Sequence, residues 1–224
     1  MSVPLAVFDL DGTITRSDTL LPFLIGFLKR HPWRLPRLLL AVPTIVAYLI
    51  GRADRGALKG ALIHQVLGGF QCQEILAWSE VFVPQLVQNG LFAEALVAIA
   101  EQRSQGAHLV LLSASPDLYV PLVGHALGFD EIISSRVLWE ADGTLNGRLD
   151  GPNCRGIEKV RQLQRLLQRR QPSQSSAYGN SDADLAHLAL VDEGTYVNGP
   201  RSGNLPPNVH RVTWFQRTRG PLAH

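Results

Sequence analysis

Two aspartates two residues apart follow the first apolar run of the chain. Asp9 and Asp11 stand in the stretch VFDLDGT, which opens inside a predicted buried strand over residues 5–10. Side chains alternate between the two faces of a strand, so the two carboxylates point the same way, and Gly12 then lets the backbone turn sharply. Two acids held together where a strand ends suit a hard divalent cation and nucleophilic or acid–base chemistry. A strand followed by an ordinary Asp-Gly turn is the structural alternative.

Three further polar clusters stand at the ends of predicted elements. Because the carboxyl ends of parallel strands meet at one edge of a sheet, these clusters can share one site with the two aspartates. They are Ser113-Ala114-Ser115 after the apolar run 108–112, Lys159 near the start of a helix, and Asn180, Asp182 and Asp184 after the run 176–178.

Each cluster offers groups that bind phosphate or a cation. Ser113 and the next backbone N–H are donors for an anion at a helix N-terminus, and Lys159 offers a positive charge for phosphate. The acidic cluster could complete a magnesium site. Other interpretations remain open, because Ser113 could simply cap the next helix, and Arg155 and Arg161 are rivals of Lys159.

The order of the predicted elements indicates the fold class. Strands alternate with helices on both sides of a stretch of nearly ninety residues, 17–105, that is helical throughout. This pattern predicts an α/β protein with a parallel sheet flanked by helices, and a helical insertion directly after the first strand. Further strands are predicted over residues 108–112, 131–134, 136–140, 176–178, 195–197 and 209–214, helices over 116–128, 153–170 and 185–191, hairpin turns at Asp142-Gly143 and Asn146-Gly147, and a frayed tail over the last several residues.

Composition restricts the partners and the location. The formal charge is +2, but segment 29–59 contains seven basic residues and one acid, which favours an anionic ligand or surface nearby. No basic and aromatic stripe indicates nucleic acid. Two cysteines without metal-ligand spacing and no signal peptide predict a cytoplasmic protein. The apolar runs 20–28 and 38–50 are shorter than the roughly 20 residues of a membrane-spanning helix, so the core of a helical bundle is the favoured interpretation of 38–50.

The four clusters resemble the four ordered motifs of the haloacid dehalogenase superfamily. The resemblance is narrower to its subfamily IB, the phosphoserine-phosphatase-like branch with a helical cap inserted after the first strand. It covers nearly the whole chain, and the passage 145–159 is also similar to that branch's approach to its third motif. It implies a Rossmann-like α/β core over residues 1–16 and 106–224, with the cap over residues 17–105. The motifs are VFDLDGT at 7–13, LLSAS at 111–115, GIEK at 156–159 and YGNSDAD at 178–184.

The resemblance implies a Mg²⁺-dependent phosphatase. Asp9 would attack phosphorus and form an aspartyl-phosphate, while Asp11 would protonate the leaving alcohol and then deprotonate the hydrolytic water. The metal ligands implied are Asp9, Asp11 through its backbone carbonyl, Asn180 and Asp184. Substrate-binding residues implied by the family are Thr13, Ser113, the N–H of Ala114 and Lys159, with Asp18 where the branch has an acidic substrate contact, although a helix cap explains Asp18 equally well.

One position departs from the family pattern. Asn180 stands where the first directly ligating aspartate of the fourth motif is usual, which removes one negative charge from the site. We therefore expect weaker Mg²⁺ binding than in an all-carboxylate relative, with Asp184 acting through a water or Asp182 compensating. For Asp182, an exposed residue at the start of a helix is the favoured interpretation over a metal ligand.

The substrate depends on the cap, which the motifs do not describe. A small phosphate ester such as phosphoserine is the default expectation. The alternative is a lipid or otherwise amphiphilic phosphate, because segment 20–59 is basic and apolar and could make weak contact with a membrane surface. A catalytically impaired phosphate-binding or regulatory protein is the alternative of another class. The sequence leaves the oligomeric state open.

Overall fold

Six parallel strands form the central sheet of the protein, for which a computed structural model describes residues 2–199 and 204–215. The sheet has the order β3-β2-β1-β6-β7-β8, and β4 and β5 form a separate antiparallel ribbon. The strands of the described residues are β1 (Leu5–Phe8), β2 (His108–Pro116), β3 (Glu131–Ser135), β4 (Val137–Trp139), β5 (Leu145–Leu149), β6 (Ser175–Gly179), β7 (Glu193–Val197) and β8 (Val209–Val212).

Helices cover the sheet and fill the long connection from β1 to β2, as the sequence predicts. They are α1 (Leu20–Arg30), a 3-10 helix (Pro32–Ala41), α2 (Val42–Leu49), α3 (Arg55–Leu67), α4 (Cys72–Asn89), α5 (Ala93–Ser104), α6 (Val120–Ala126), α7 (Ile157–Arg170) and α8 (Asp182–Leu188). The α/β fold class with a parallel sheet and flanking helices is therefore confirmed. We refer to residues 20–104, α1 through α5, as the helical block.

Strand β1 places the first aspartate at the middle of the sheet. All four of its residues are buried, and it pairs in parallel with β2 on one side and β6 on the other. A strand covered on both faces must be apolar throughout, which explains its continuous run of apolar residues. The N–H of Asp9 donates to the carbonyl of Tyr178 at 2.9 Å, so the residue after β1 is still fixed to the sheet.

Two apolar clusters pack on the two faces of the sheet. Alternate residues of β1 divide between them, because Phe8 faces the helical block and Val7 faces α7 and α8. On the first face, Phe23 of α1 lies 4.6 Å from the ring of Tyr119, between centroids. These contacts hold the start of α1 against the segment that follows β2.

The segment between α1 and α2 departs from regular α-helix. Pro32 and Pro36 lack the N–H that an α-helical ladder needs, and the stretch between α1 and α2 is a 3-10 helix. Helix α2 follows it and has no buried residue, although its sequence is VPTIVAYL. In the described part of the chain, no helix combines the length and apolarity needed to cross a membrane.

Several predicted boundaries are wrong. Strand β2 extends through Pro116, and the next helix begins only at Val120, because Pro121 rather than Pro116 occupies its first turn. Helix α7 begins at Ile157 instead of 153, and α8 begins at 182 instead of 185. The last strand ends at Val212 and not at residue 214. The predicted frayed tail includes residues 216–224, which lie outside the described residues.

The ribbon is predicted only in part. The turn at Asp142-Gly143 connects β4 to β5, with φ +81° at the glycine. The second predicted turn, at Asn146-Gly147, is wrong because both residues lie inside β5. Gly147 sits at φ +89° within the strand, where a Cβ would come within 2.6 Å of the His64 backbone of α3. The glycine therefore allows close approach of a helix and is not a reversal of the chain.

Candidate active site

A cavity of about 700 Å³ lies between the carboxyl edge of the sheet and the helical block. Its lining comes from five separate parts of the chain: the turn after β1, α1 to α3, the end of β2, and the two stretches around 153–159 and 180–184. The predicted site residues that line it are Asp9, Asp11, Asp18, Ala114, Lys159, Asn180 and Asp184.

The carboxylate of Asp9 is nearly buried and is held from two sides. The Lys159 ammonium donates to Asp9 Oδ1 at 2.6 Å and to Asp184 Oδ1 at 2.7 Å. Thr13 Oγ1 donates to the other Asp9 oxygen at 3.2 Å. Lys159 is 150 positions from Asp9 and 25 positions from Asp184 in the sequence, so only the sheet brings the three groups together.

One ammonium shared by two buried carboxylates leaves an excess negative charge. Burial raises the pKa of Asp9 to about 7, even though Lys159 acts to lower it. The pKa of Asp184 is instead held well below its usual range by Lys159, against the effect of its burial. This arrangement favours either a proton on Asp9 or a bound cation beside it.

Both oxygens of Asp11 accept hydrogen bonds, and none comes from a positive group. Thr19 donates to Oδ1 through its N–H at 2.8 Å and its hydroxyl at 2.7 Å, and Ser115 Oγ donates to Oδ2 at 2.5 Å. Tyr119 orients Thr19, since the two hydroxyl oxygens are 2.9 Å apart. Burial raises the pKa of Asp11 despite these donors, which favours its protonated form more than in water.

The sequence predicts the Ser113-Ala114-Ser115 segment at a helix N-terminus, but the segment lies at the end of β2. Ser113 is completely buried, and its Oγ accepts the N–H of Ser115 at 3.0 Å. The carbonyl of Ala114 accepts from Lys59 Nζ of α3 and from Ser135 Oγ. The hydroxyl of Ser113 accepts one hydrogen bond here, and it also has a hydrogen that can be donated.

The oxygen donors near Asp9 fit a hard cation. Asn180 follows β6 and lies over Gly12, where a Cβ would come within 2.0 Å of the amide nitrogen. Ser181 donates to Asp184 Oδ2 through its N–H at 3.0 Å and its hydroxyl at 2.6 Å. Among the described residues, no three His, Cys, Asp or Glu side chains form a metal cluster. The oxygen groups that could bind a metal are the carboxylates of Asp9 and Asp184, the amide oxygen of Asn180 and backbone carbonyls. These are the ligand types that Mg²⁺ takes together with waters.

The remaining predicted residues have clear positions. Asp18 precedes Thr19, the N-cap residue of α1, and accepts the N–H groups of Leu20 at 3.0 Å and Leu21 at 3.4 Å. It also lines the cavity. Asp182 is exposed as the first residue of α8 and accepts the hydroxyl of Tyr196 at 2.7 Å, away from the cavity. Thr13 and Ser113 are buried behind the cavity wall.

Sequence reasoning missed a group of residues that support the site. Lys59 donates to Asn153 Oδ1 at 2.8 Å as well as to the Ala114 carbonyl, and burial lowers its pKa to about 8. In the sequence Lys59 is one of seven basic residues in segment 29–59, and nothing in its local pattern distinguishes it. Thr19 and Ser115, the donors to Asp11, are also absent from the predicted set, although Ser115 lies inside the second motif.

Comparison with known proteins decides the family. The sequence model of haloacid dehalogenase-like hydrolases matches residues 6–189. The chain belongs to this family. Protein CicA of Caulobacter vibrioides is 35% identical over 201 residues, covering 86% of this chain and 85% of that protein. A probable phosphatase of Mycobacterium tuberculosis is 26% identical over 200 residues, covering 88% and 69%.

Solved structures of other proteins share the fold. A Bordetella pertussis protein of unknown function superposes with a TM-score of 0.75 at 21% identity, covering 90% of this chain and 92% of its own. A substrate-bound phosphoserine phosphatase superposes with a TM-score of 0.63 at 14% identity, covering 90% and 89%. The predicted membership of the haloacid dehalogenase superfamily, with a phosphoserine-phosphatase-like fold, is thereby confirmed.

Proposed function

We propose that the protein is a Mg²⁺-dependent phosphomonoesterase that works through an aspartyl-phosphate. The observation that carries this proposal is the buried Asp9, paired with Lys159 at 2.6 Å and facing a cavity that also contains Asp11. Its membership of a hydrolase family that includes a probable phosphatase supports the reaction class. In this proposal residues 17–105 form the cap and residues 1–16 and 106–224 the core.

Asp9 is the proposed nucleophile. One carboxylate oxygen attacks phosphorus and the bond to the leaving oxygen breaks, so the phosphoryl group passes to Asp9. Thr13 holds the second carboxylate oxygen and fixes the orientation of the group. Lys159 and the N–H of Ala114 neutralise charge on the phosphoryl oxygens, since positive and donor groups are most effective in a buried site. The Ser113 hydroxyl lies behind the cavity wall, where it accepts the N–H of Ser115 and positions this segment.

Asp11 is the proposed proton carrier. Its raised pKa favours the protonated state that can give a proton to the departing alcohol oxygen. The same carboxylate then accepts a proton from the water that hydrolyses the aspartyl-phosphate. Thr19 and Ser115 keep it on the side of the cavity where the leaving group must lie.

The proposed magnesium ligands are the side chains of Asp9, Asn180 and Asp184 and the carbonyl of Asp11. When bound, the cation supplies positive charge that offsets the repulsion between an anionic nucleophile and an anionic ester. The excess negative charge of Asp9 and Asp184 over Lys159 supports this assignment. A cytoplasmic location and a small phosphate ester as substrate remain predictions.

Hydrolysis of an aryl phosphate tests the proposal. The purified protein is assayed with and without Mg²⁺, beside Asp9→Asn as the matched variant. We expect Mg²⁺-dependent turnover that falls at least about 10³-fold in the variant, and radiolabel from the phosphate that stays on acid-quenched wild-type protein. Equal hydrolysis by the two proteins would contradict the catalytic role of Asp9 and favour a phosphate-binding or regulatory protein.

A further inference from the structure

The first part of the helical block exposes an unusual amount of apolar surface. Most monomeric proteins keep contiguous exposed apolar patches small, and larger ones mark interaction surfaces. Here the exposed apolar side chains recur along the 3-10 helix, α2 and the residue after it. They include Trp33 (64% exposed), Leu39 (72%), Leu40 (65%), Val46 (49%), Leu49 (74%) and Ile50 (58%).

Three basic residues of this part of the chain have no ion-pair partner within the described residues. No ion pair or side-chain hydrogen bond within residues 2–199 and 204–215 engages Lys29, Arg37 or Arg52. Segment 29–59 has seven basic residues and one acid. An apolar face with flanking basic residues matches an anionic lipid surface, where apolar side chains enter the headgroup boundary and cations contact the lipid charges. A second copy of the chain would instead bring two positive segments together.

The same helices form the walls of the cavity. Leu21 of α1 is 53% exposed and also lines the cavity, so it connects the outer surface with the interior. Tyr48 of α2 lines the cavity from the element that carries the exposed Val46 and Leu49, and α3 contributes Leu58 and Leu62. Apolar side chains of α1, α2 and α3 therefore line the cavity that contains Asp9, beside the charged Arg55 and Lys59 of α3.

We propose that the exposed face of the 3-10 helix and α2 docks on an anionic phospholipid surface, and that the substrate is a phosphomonoester with an apolar tail. The second half rests on the proposed phosphatase function. In the docked protein the tail lies along Leu21, Tyr48 and Leu62, while the phosphate reaches Asp9. The docking face then serves to place the cavity opening at the lipid surface.

Vesicle flotation tests the docking. The full chain is mixed at low salt with vesicles of phosphatidylcholine alone or with about 40% phosphatidylglycerol. We expect binding only to the anionic vesicles, and its loss in Leu39→Asp/Leu49→Asp but not in Val97→Asp, a control on α5 that is 56% exposed. Arg52→Glu should weaken binding at least about fivefold, whereas Arg165→Glu on α7 should not. Equal binding by test and control variants, or a dimer that Leu39→Asp/Leu49→Asp dissociates, would overturn the docking.

Alkyl phosphates of increasing chain length test the substrate class. Below their micelle concentration, kcat/KM should rise about twofold to fourfold for each methylene that these apolar side chains cover. A flat dependence on chain length, or faster turnover of phosphoserine than of the long esters, would overturn the tailed substrate. Flotation needs no turnover, so the docking can be tested even if no phosphate is hydrolysed. Aryl phosphate hydrolysis by Leu39→Asp/Leu49→Asp shows whether the double substitution damages the active site as well as the docking face.

Discussion

Replacement of Lys159 by methionine measures the electrostatics of the site most directly. Methionine keeps much of the length and apolar volume of the side chain but removes the ammonium that Asp9 and Asp184 share. Both carboxylates would then be buried without a partner of opposite charge, in positions less than a tenth exposed. Such a change is among the few that destabilise a protein strongly.

The size of the effect follows from the buried pair. Removing one partner of a buried ion pair costs about 3–5 kcal/mol, because the remaining charge is left uncompensated. In the variant the pKa of both carboxylates rises, so they take up protons in mildly acidic solution and the loss becomes smaller. For each extra proton bound by the folded state, the loss should change by up to about 1.4 kcal/mol per pH unit.

Urea unfolding in EDTA gives the measurement, since no cation can then replace the ammonium. We expect Lys159→Met to lose about 3–5 kcal/mol at pH 8 and clearly less at pH 5. Arg165→Met, an exposed position on the same helix, is the control and should change stability by less than about 0.5 kcal/mol. A loss below about 1 kcal/mol at pH 8, or an equal loss at both pH values, would refute this account of the site.

Three further predictions concern the same cavity. In EDTA the raised pKa of Asp9 makes the folded wild type hold a proton that the unfolded chain releases near pH 4. The free energy of unfolding should therefore fall as the pH rises from about 4 to about 7. Urea titrations of Asp9→Asn should lack this slope. Thr19→Val removes a hydroxyl donor from Asp11 and should raise the pKa of that carboxyl further, which moves the alkaline limb of the kcat/KM profile to higher pH. Asn180→Asp restores a negative charge and should bind Mg²⁺ more tightly by calorimetry, and unchanged affinity would contradict the assigned ligand.

The sequence predicts those parts of the fold that local patterns determine. A buried parallel strand is apolar throughout, so β1 and the start of β2 can be identified from their runs, and four motifs are enough for the family. The end of β2 could not be predicted, because Ser113 to Pro116 contain polar residues and a proline that normally indicate a turn. Their extended conformation depends on pairing with β3, where Pro116 lies opposite Ser135, a contact distant in sequence.

The supporting residues of the site illustrate the same limit. Asp9 and Asp11 can be predicted, because both carboxylates stand in one short motif. Lys59 cannot, since its contact with Ala114 joins residues 55 positions apart and depends on how α3 packs. Thr19 contacts Asp11 from the N-cap of α1, which is held in place by packing of Phe23 against Tyr119 and by the Tyr119 hydroxyl. Motifs thus identify the groups with chemical roles, while packing determines the groups that hold them in place.

The contacts of α3 bear on how the cavity can open. A helical block joined to the sheet only at its two ends could rotate as a rigid lid about those two connections. Here its middle is also attached, because Lys59 donates a hydrogen bond to the Ala114 carbonyl at the end of β2. Gly60 lies against the backbone of β5, where a Cβ added to it would be 3.5 Å from the Gly147 carbonyl oxygen. Widening the cavity by such a rotation would break both contacts. Substrate and product are therefore expected to pass between α1, α2 and α3 while the block stays in place, and the side chains at that gap determine which molecules can pass.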